Sequence, residues 1–225
     1  MTTPHTLRIT QWAAWAPNLA TQNDWRAWAQ QPQSTSGDDM PDVSALPAMQ
    51  RRRMNRMARM CYTVVQAIEG SADVPQIYCS RHGDLSRSTK LLHALAENEP
   101  LSSTSFGLSV HNAAGAATSI LQGNRQAITS IAAGKDGVRH AFYEVLSHLA
   151  EHPSVVLVVY DEVVPDFYQI ADTPVFAYAL LIERGEGIAL DFQAQDGSAL
   201  PAELSVLAQV VQGQNILKLG ARQDG

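Results

Sequence analysis

The feature that most constrains the fold is an unbroken apolar run at 155–160, Val-Val-Leu-Val-Val-Tyr. A strand that is apolar on both alternating faces must be covered on both sides, as central strands of parallel sheets are. Strand and helix patterns alternate before Asp161, but the pattern changes after Thr173, where 175–183 and 187–192 flank Arg-Gly-Glu and predict a β-hairpin. The sequence therefore predicts an α/β domain in which helices cover a mixed sheet.

The remaining elements follow from hydrophobic periodicity and from turn residues. The 225 residues are 45% hydrophobic, which is enough for a substantial core. The predicted domain spans 1–225, with 165–225 as a C-terminal hairpin and helix extension and a weakly structured tail from Gly213. Strands are expected at 7–16, 74–80 and 126–131, a loop at 31–47, and helices at 24–30, 48–69, 85–97, 112–121, 135–150 and 202–212.

Composition narrows the classes of partner. The formal charge of −6 and the pI near 5.6 argue against nucleic acid as the main partner, because phosphate binding needs a basic surface. The longest apolar run is far shorter than a membrane span. Two cysteines fit a reducing compartment, and the N-terminus lacks the pattern of a signal peptide. We therefore expect a cytoplasmic protein with no nucleic-acid partner and no membrane span.

Three short features would support catalysis if they stood alone. The Arg81-His82-Gly83 turn resembles the motif of histidine phosphatases, Cys79 lies three residues before His82, and Ser130 lies on a strand-turn-helix elbow. The phosphatase motif normally lies on the first strand, and no base is placed beside Ser130 by sequence. Each feature is more simply interpreted as a structural turn or a buried residue.

The sequence predicts no metal or cofactor. His148 and His152 have the i, i+4 spacing of a metal-binding pair, but no third ligand follows from spacing. No phosphate-binding loop of the G-x-x-x-x-G-K type and no G-x-G-x-x-G pattern occurs. A solvated helix end is the preferred interpretation of the two histidines.

Several segments in order resemble the β-ketoacyl synthase family, which has the thiolase fold. They are 51–60 (RRRMNRMARM), 109–115 (SVHNAAG), 127–134 (AITSIAAG) and 155–161 (VVLVVYD). Within that family the chain resembles a short ketosynthase-like subgroup through its tryptophan-rich start at 12–28, Ser-Arg-His-Gly-Asp-Leu at 80–85 and Val-Val-Tyr-Asp-Glu at 158–162. The resemblance implies half of a thiolase-like fold and a chain-length-factor-type subunit of aryl polyene or fatty-acid-like biosynthesis.

The chain departs from the family where catalysis would occur. The position that matches the nucleophilic cysteine is Ile131, and the family's two catalytic histidines belong to a C-terminal half that this sequence has no room for. Condensation without a thiolate and histidines has neither nucleophile nor decarboxylation site. The resemblance therefore implies no catalytic residue, and a chain that is not an enzyme alone.

The resemblance also implies partners and surfaces. A catalytic β-ketoacyl synthase would form a heterodimer or a larger assembly with this chain, and an acyl carrier protein would be reached through the complex. The implied sites are a dimer strand at Ala127, Ile128, Thr129 and Ser130, an acyl tunnel at Phe106, Thr104, His111 and Ala114, and a carrier-protein dock at Arg51, Arg52 and Arg53.

Alternatives remain open at this point. The arginines could instead cap a helix or pair with Asp38, Asp39 and Asp42. The chain as a whole could be a hydrolase that uses Ser130, a phosphatase that uses the Arg81-His82-Gly83 turn, or an acyl or carrier-protein binding module.

Overall fold

A computed structural model describes residues 5–170 and 173–221. The strands in this part of the chain are β1 (Thr6–Trp15), β2 (Gln76–Cys79), β3 (Ile128–Ile131), β4 (Ser154–Asp161), β5 (Phe176–Arg184), β6 (Ile188–Asp191) and β7 (Ile216–Lys218). The α-helices are α1 (Gln22–Trp28), α2 (Ala48–Arg53), α3 (Arg56–Gln66), α4 (Leu85–Ala96), α5 (Ser103–Gly107), α6 (Ala113–Gln122), α7 (Gly137–Glu151) and α8 (Ala202–Val211).

All strands of the described residues form one mixed sheet in the order β3-β2-β4-β5-β1-β6-β7. Strand β2 runs parallel to both β3 and β4, whereas β5 is antiparallel to β4 and to β1. Strand β6 is antiparallel to β1 and parallel to β7. The predicted mixed sheet is confirmed.

The apolar run of β4 is buried on both faces, as its sequence requires. One set of alternate residues, Val155, Leu157 and Val159, packs in a core with α7 and α8. The other set, which includes Val156 and Val158, packs in a second core with α3 and α6. Helices therefore cover both faces of the sheet, which confirms the predicted α/β architecture.

The predicted hairpin at 175–192 is wrong. Strand β1 lies between β5 and β6, and Leu7 pairs with Arg184 on one side and with Ile188 on the other. The chain does not reverse at Arg184 but crosses β1 and continues in the same direction. Gly187 allows this crossing, because a Cβ at that position would lie only 3.0 Å from the Leu7 carbonyl oxygen.

The predicted weak tail after Gly213 is also wrong for the described residues 213–221, whereas residues 222–225 of that prediction lie outside the described part of the chain. Residues 216–218 form β7 beside β6, and Leu217 is fully buried. Helix α8 is buried at every residue from 203 to 210. The C-terminal segment is therefore part of the sheet and its core. It supplies β5, which is a central strand, and β6 and β7 at one edge.

The single helix predicted at 48–69 is divided at Met54 and Asn55. Asn55 has an extended backbone, and its side-chain oxygen accepts a hydrogen bond from the Ala58 amide, which starts α3. Its Nδ2 donates to Asp84 Oδ2 at 2.7 Å, and Asp84 caps α4 by accepting from the Arg87 amide. One polar bridge thus fixes the starts of two helices. The short helix α5 was not predicted.

The close approach of α6 to the sheet gives a stability prediction. A Cβ at Gly115 would lie 2.8 Å from the Tyr78 ring, which is fully buried, so Gly115→Ala forces the helix or the ring to shift. We expect Gly115→Ala to lower the free energy of unfolding by about 1–3 kcal/mol in chemical denaturation. Gly107→Ala is the matched control, since no atom lies within 4 Å of its added Cβ. Equal stability of the two variants would contradict the packing described.

Candidate functional site

Three parallel strands end at the same edge of the sheet. Strands β3, β2 and β4 are neighbours, and their carboxyl ends are Ile131, Cys79 and Asp161. In open α/β sheets, sites form outside the carboxyl ends of the strands. This edge is therefore the candidate functional site, and it contains Ile131, the residue that the sequence resemblance aligns with the family's nucleophile.

A buried carboxylate organises the loop after β2. Asp161 accepts hydrogen bonds from Ser80 Oγ at 2.8 Å, from the Arg81 amide at 2.9 Å and from the His82 amide at 3.1 Å. Ser80 Oγ accepts in turn from the Gly83 amide at 2.8 Å. The turn 80–83 is therefore held by Asp161 through its backbone, which is the arrangement of a structural clamp.

Burial shifts the protonation of this clamp. Burial raises the pKa of Asp161 from 3.8 to about 6, although the hydrogen bonds from Arg81, Ser80 and His82 act in the opposite direction. Burial and the neighbouring Arg81 cation lower the pKa of His82. The backbone amides of this turn are held by Asp161 and Ser80, which gives the turn a structural role.

Ile131 ends β3 at the start of the strand-turn-helix elbow. Its side chain is partly buried and packs against the core that contains α7. A short 3-10 turn at Gly134–Asp136 leads into α7, and Gly134 has a φ of 58°. The His111 side chain reaches across from the start of α6, with Nε2 at 3.0 Å from the Ile131 carbonyl oxygen. The strand-turn-helix elbow is present, and the side chain at its start is apolar.

Neither neighbouring nucleophile candidate is activated. Burial raises the pKa of the Cys79 thiol well above its ordinary value, with Glu203 and Asp161 adding to the effect, so this thiol stays neutral. Ser130 Oγ is buried and has no hydrogen-bond partner among the described residues. A hydroxyl with no base in reach is a weak nucleophile.

Two of the four predicted tunnel residues meet in a small cavity. His111 and Ala114 line a space of about 30 Å³ that Arg53, Asp84 and Arg87 also border. Phe106 and Thr104 do not line it, because both are exposed on α5, where Phe106 is 67% exposed. The described residues thus bring His111 and Ala114 together and place the other two on the surface.

The predicted dimer strand lies at the free edge of the sheet. Ala127 and Ile131 direct their carbonyl oxygens to β2, where they accept from the Gln76 and Ser80 amides. Because backbone direction alternates along a strand, Ile128 and Ser130 direct their amide and carbonyl groups away from β2. In the described part of the chain no strand pairs with that side of β3.

Comparison with known proteins identifies the family. A sequence model of the β-ketoacyl synthase N-terminal domain matches residues 25–222. The chain belongs to the β-ketoacyl synthase family. No match was found among curated protein sequences.

Solved ketosynthase structures share this fold. The complex of a ketosynthase (ApeO) with its chain length factor (ApeC) from Xenorhabdus doucetiae contains a chain that is 29% identical, with a TM-score of 0.80 and 93% of both chains covered. The ishigamide ketosynthase/chain length factor matches at 15% identity and a TM-score of 0.65, over 80% of this chain and 63% of that one. A β-ketoacyl synthase from Burkholderia phymatum matches at 12% identity and a TM-score of 0.61, over 80% of this chain and 59% of that one. The predicted half of a thiolase-like fold is confirmed.

The four arginines between residues 51 and 56 of this ketosynthase-family chain divide into two groups. Arg51 donates to the carbonyl oxygens of Ser44 and Leu46, and Arg56 forms an ion pair with Glu162 at 2.6 Å. Arg52 and Arg53 are exposed. The first group joins parts of the chain to each other, and only the second is free to meet an acidic partner.

Two properties of the described residues concern metals and membranes. No group of three or more His, Cys, Asp and Glu side chains in 5–170 and 173–221 is placed to hold a metal ion. No helix in the same residues is both long and apolar enough to cross a membrane.

Sequence reasoning missed the clamp and the helix bridge. Asn55, Ser80, Asp84 and Asp161 lie in segments that carry the family resemblance, but the sequence assigns none of them a structural role. The available signal was a carboxylate directly after a wholly apolar strand, because a buried charge there requires hydrogen-bond donors from a neighbouring turn. Nothing in the spacing shows which turn supplies them.

The raised pKa of Asp161 predicts a pH dependence of stability. The folded chain keeps this carboxyl protonated up to about pH 6, whereas an ordinary aspartate ionises near 3.8. Between these pH values the folded state therefore binds more protons than the unfolded state. The contribution of Asp161 to the free energy of unfolding is complete below about pH 4 and falls by about 3 kcal/mol as the pH rises through 6.

Denaturation of the wild type and Asp161→Asn at pH 4 and pH 7 measures this effect. Because the variant cannot ionise, we expect the wild type to exceed it in stability by more at pH 4 than at pH 7. Asp24→Asn should show little change between the two pH values, since hydrogen bonds from Thr21 lower the pKa of Asp24 below 3.8 and the carboxyl is ionised at both. A difference for Asp161→Asn that does not change with pH would contradict the raised pKa.

Proposed function

We propose that this chain is a non-catalytic, chain-length-factor-like subunit that pairs with an active β-ketoacyl synthase. In this role it shapes the acyl tunnel of the pair during polyene or fatty-acid-like chain elongation. The partner brings the nucleophile, and this chain brings a complementary surface and part of the tunnel wall.

The observation that carries the proposal is Ile131. Strand β3, a glycine turn and α7 form a strand-turn-helix elbow, and Ile131, which the resemblance aligns with the family's cysteine, is apolar. Cys79 does not replace the missing thiol, because it is buried and its pKa is raised. A ketosynthase-family fold without a usable nucleophile is best suited to support the chemistry of another subunit.

The similarity to known proteins supports this role. The chain of the ketosynthase and chain length factor complex that resembles this one is matched over 93% of its length. The Burkholderia synthase, by contrast, is covered over only 59%. A complex of that kind contains a chain of nearly the same extent as this one, which fits a subunit of a ketosynthase pair.

The tunnel is assigned to His111, Ala114, Phe106 and Thr104. His111 and Ala114 already border a cavity beside the β3 end, and its small volume of about 30 Å³ is too small for an acyl chain. Phe106 and Thr104 are exposed in the single chain. On this proposal the partner covers Phe106 and Thr104 and encloses the tunnel with its own residues.

The carrier-protein dock is assigned to the arginine run. Acyl carrier proteins are acidic, and a basic cluster on a chain of net charge −6 is a complementary surface for them. Arg52 and Arg53 are exposed and carry this assignment, whereas Arg51 donates to Ser44 and Leu46 in its own chain. On this proposal the carrier protein binds the dock in the complex with the ketosynthase rather than on the free chain.

The alternative functions receive less support from the geometry. The backbone of the Arg81-His82-Gly83 turn is committed to Asp161 and Ser80, which gives the turn a structural role in place of phosphatase chemistry. Ser130 lacks a base among the described residues, which disfavours a hydrolase. A free-standing binding module would leave the open edge of β3 unexplained.

The first prediction of this proposal concerns acylation. The complex and the free chain are each incubated with an activated acyl thioester and digested for peptide mass spectrometry. We expect no covalent adduct on this chain, because Ile131 supplies no thiolate, and we expect the partner's cysteine peptide to be labelled in the same sample as the positive control. A stable adduct at Ser130 or Cys79 would show that this chain is itself catalytic.

The second prediction concerns the open edge of β3. Ser130 directs its amide away from β2, so Ser130→Pro removes a donor from the outer side and leaves the β2 pairing in place. We expect the variant to fold alone and to bind the ketosynthase roughly tenfold or more weakly, measured by co-purification and by titration. Ile128→Asp is less informative, because Ile128 packs against a core of its own chain.

Thr129→Pro is the matched control. The Thr129 amide points towards β2, so proline there should break the internal ladder and destabilise the free chain. If Ser130→Pro binds the ketosynthase as tightly as the wild type does, the paired-strand arrangement is wrong.

A further inference from the structure

Another cavity, of about 260 Å³, lies between the start of α7 and the C-terminal segment of the chain. Its walls come from the turn before α7, the loop that joins β6 to α8, the first turns of α8 and the end of β7. One water molecule takes up about 30 Å³ of the liquid, so this cavity has room for a small ligand. The proposed function assigns no role to it.

Three cationic side chains border this cavity, Lys135, Arg139 and Lys218. They come from the turn before α7, from the first turn of α7 and from the end of β7. The sequence contains three lysines, and two of them border this one cavity. Like charges repel one another, so an anion between these side chains would be favourable. We name Lys135, Arg139 and Lys218 the cation cluster.

Arg139 is the member of the cation cluster that lacks an acceptor. Its Nε atom is buried and has no hydrogen-bond partner among the described residues. Within 5–170 and 173–221 no carboxylate forms an ion pair with it, and its guanidinium carbon lies 5.8 Å from the centre of the Tyr143 ring. A buried donor without an acceptor is unfavourable, and an oxygen atom of a ligand in the cavity would supply one.

The backbone fixes the walls of the cavity in the free chain. The Gly220 amide donates to the Ala194 carbonyl oxygen at 2.8 Å, and the Leu219 amide donates to the Asp191 carbonyl oxygen at 2.7 Å. A Cβ at Gly220 would lie 2.6 Å from the Gln193 carbonyl oxygen, so only glycine permits this close approach. The loop after β6 is therefore tied to the end of β7, and the cavity needs no rearrangement to form.

Two carboxylates also border the cavity, Asp136 and Asp196. Asp196 accepts hydrogen bonds from the Ser198 amide and the Ser205 hydroxyl, so this side chain holds the loop to α8. Three cations against two carboxylates leave the lining positive. Helix α7 begins at the cavity with no acidic residue in its first turn, so the positive end of its dipole adds to this field.

We propose that this cavity binds a phosphate group, either as inorganic phosphate or as a small phosphate monoester. The cation cluster comes from three separate segments, so a ligand that meets all of it needs acceptor atoms on several sides. A phosphate monoester carries a charge of about −1.5 to −2 near neutral pH and three strong acceptor oxygens, whereas a carboxylate has one charge and two oxygens in a plane. This site is independent of the proposed function and goes beyond it.

The test is isothermal titration of the full chain with inorganic phosphate and with glycerol 3-phosphate, at constant ionic strength, with sodium chloride as the reference salt. We expect one phosphate group to bind per chain, and Lys218→Met and Arg139→Gln each to weaken binding roughly tenfold or more. Lys90→Met is the matched control, because Lys90 is an exposed lysine of α4 that does not border the cavity, and it should bind as the wild type does. Lys218 is also exposed, so Lys218→Met leaves the core intact, and the thermal transition of each variant without phosphate reports whether it folds.

The two phosphate ligands separate the possible sources of the group. Tighter binding of glycerol 3-phosphate assigns the cavity to a phosphate monoester, and tighter binding of inorganic phosphate assigns it to the free ion. The proposal is overturned if neither ligand binds more strongly than chloride, or if folded Lys218→Met binds phosphate as tightly as Lys90→Met does. It is also overturned if the cavity takes up a cation that Asp196→Asn removes. No ketosynthase takes part in the titration, so its result does not depend on the proposed function.

Discussion

The structure depends on the burial of β4 and β5 on both faces. Every residue of the apolar run in β4 has either α7 and α8 or α3 and α6 to pack against, so two cores share one sheet. At about 25 cal/mol per Å² of apolar surface, covering both sides of such strands is the largest favourable contribution available to the chain. The crossing at Gly187, the sheet position of β1 and the burial of α8 all serve this two-sided cover.

A consequence of that burial is the polar chemistry at the carboxyl ends of the strands. Asp161 lies directly after the apolar run, where an unpaired carboxylate would be costly, and the turn 80–83 surrounds it with three donors. The same turn brings Gly83 against His111, and a Cβ at Gly83 would lie 3.1 Å from His111 Nδ1. His111 in turn reaches the Ile131 carbonyl oxygen. The elbow is thus supported by a connected set of contacts.

The retained elbow and the open edge of β3 together fit a subunit that keeps the shape of its family for assembly. A four-residue edge strand, a helix without charges and an exposed Phe106 all lie in the segment that follows β2. Exposed apolar surface of this kind is usually covered by a partner.

The sequence by itself determined the layers of this protein and the apolar character of Ile131 at the end of β3. The apolar run in β4 required cover on both faces, helical periodicity placed seven of the eight α-helices found in the described residues, and the motif around 127–134 aligned Ile131 with the family's cysteine. These properties are local, because hydrophobic periodicity and residue type depend only on residues that are close together in the chain. The break at Asn55 shows the limit, since an apolar stripe continues through a helix end that only a cap reveals.

Only the tertiary structure decided the order of the strands and the partners of the polar groups. Two strands separated by Arg-Gly-Glu look like a hairpin. The strand that lies between them is β1, which is more than 160 residues away in the chain. Leu217 could join the sheet only because β6 presents a free edge to it. The donors to Asp161 come from a turn 79 to 81 residues earlier. Long-range pairing and burial set these features, and a local pattern does not encode which distant segment meets which.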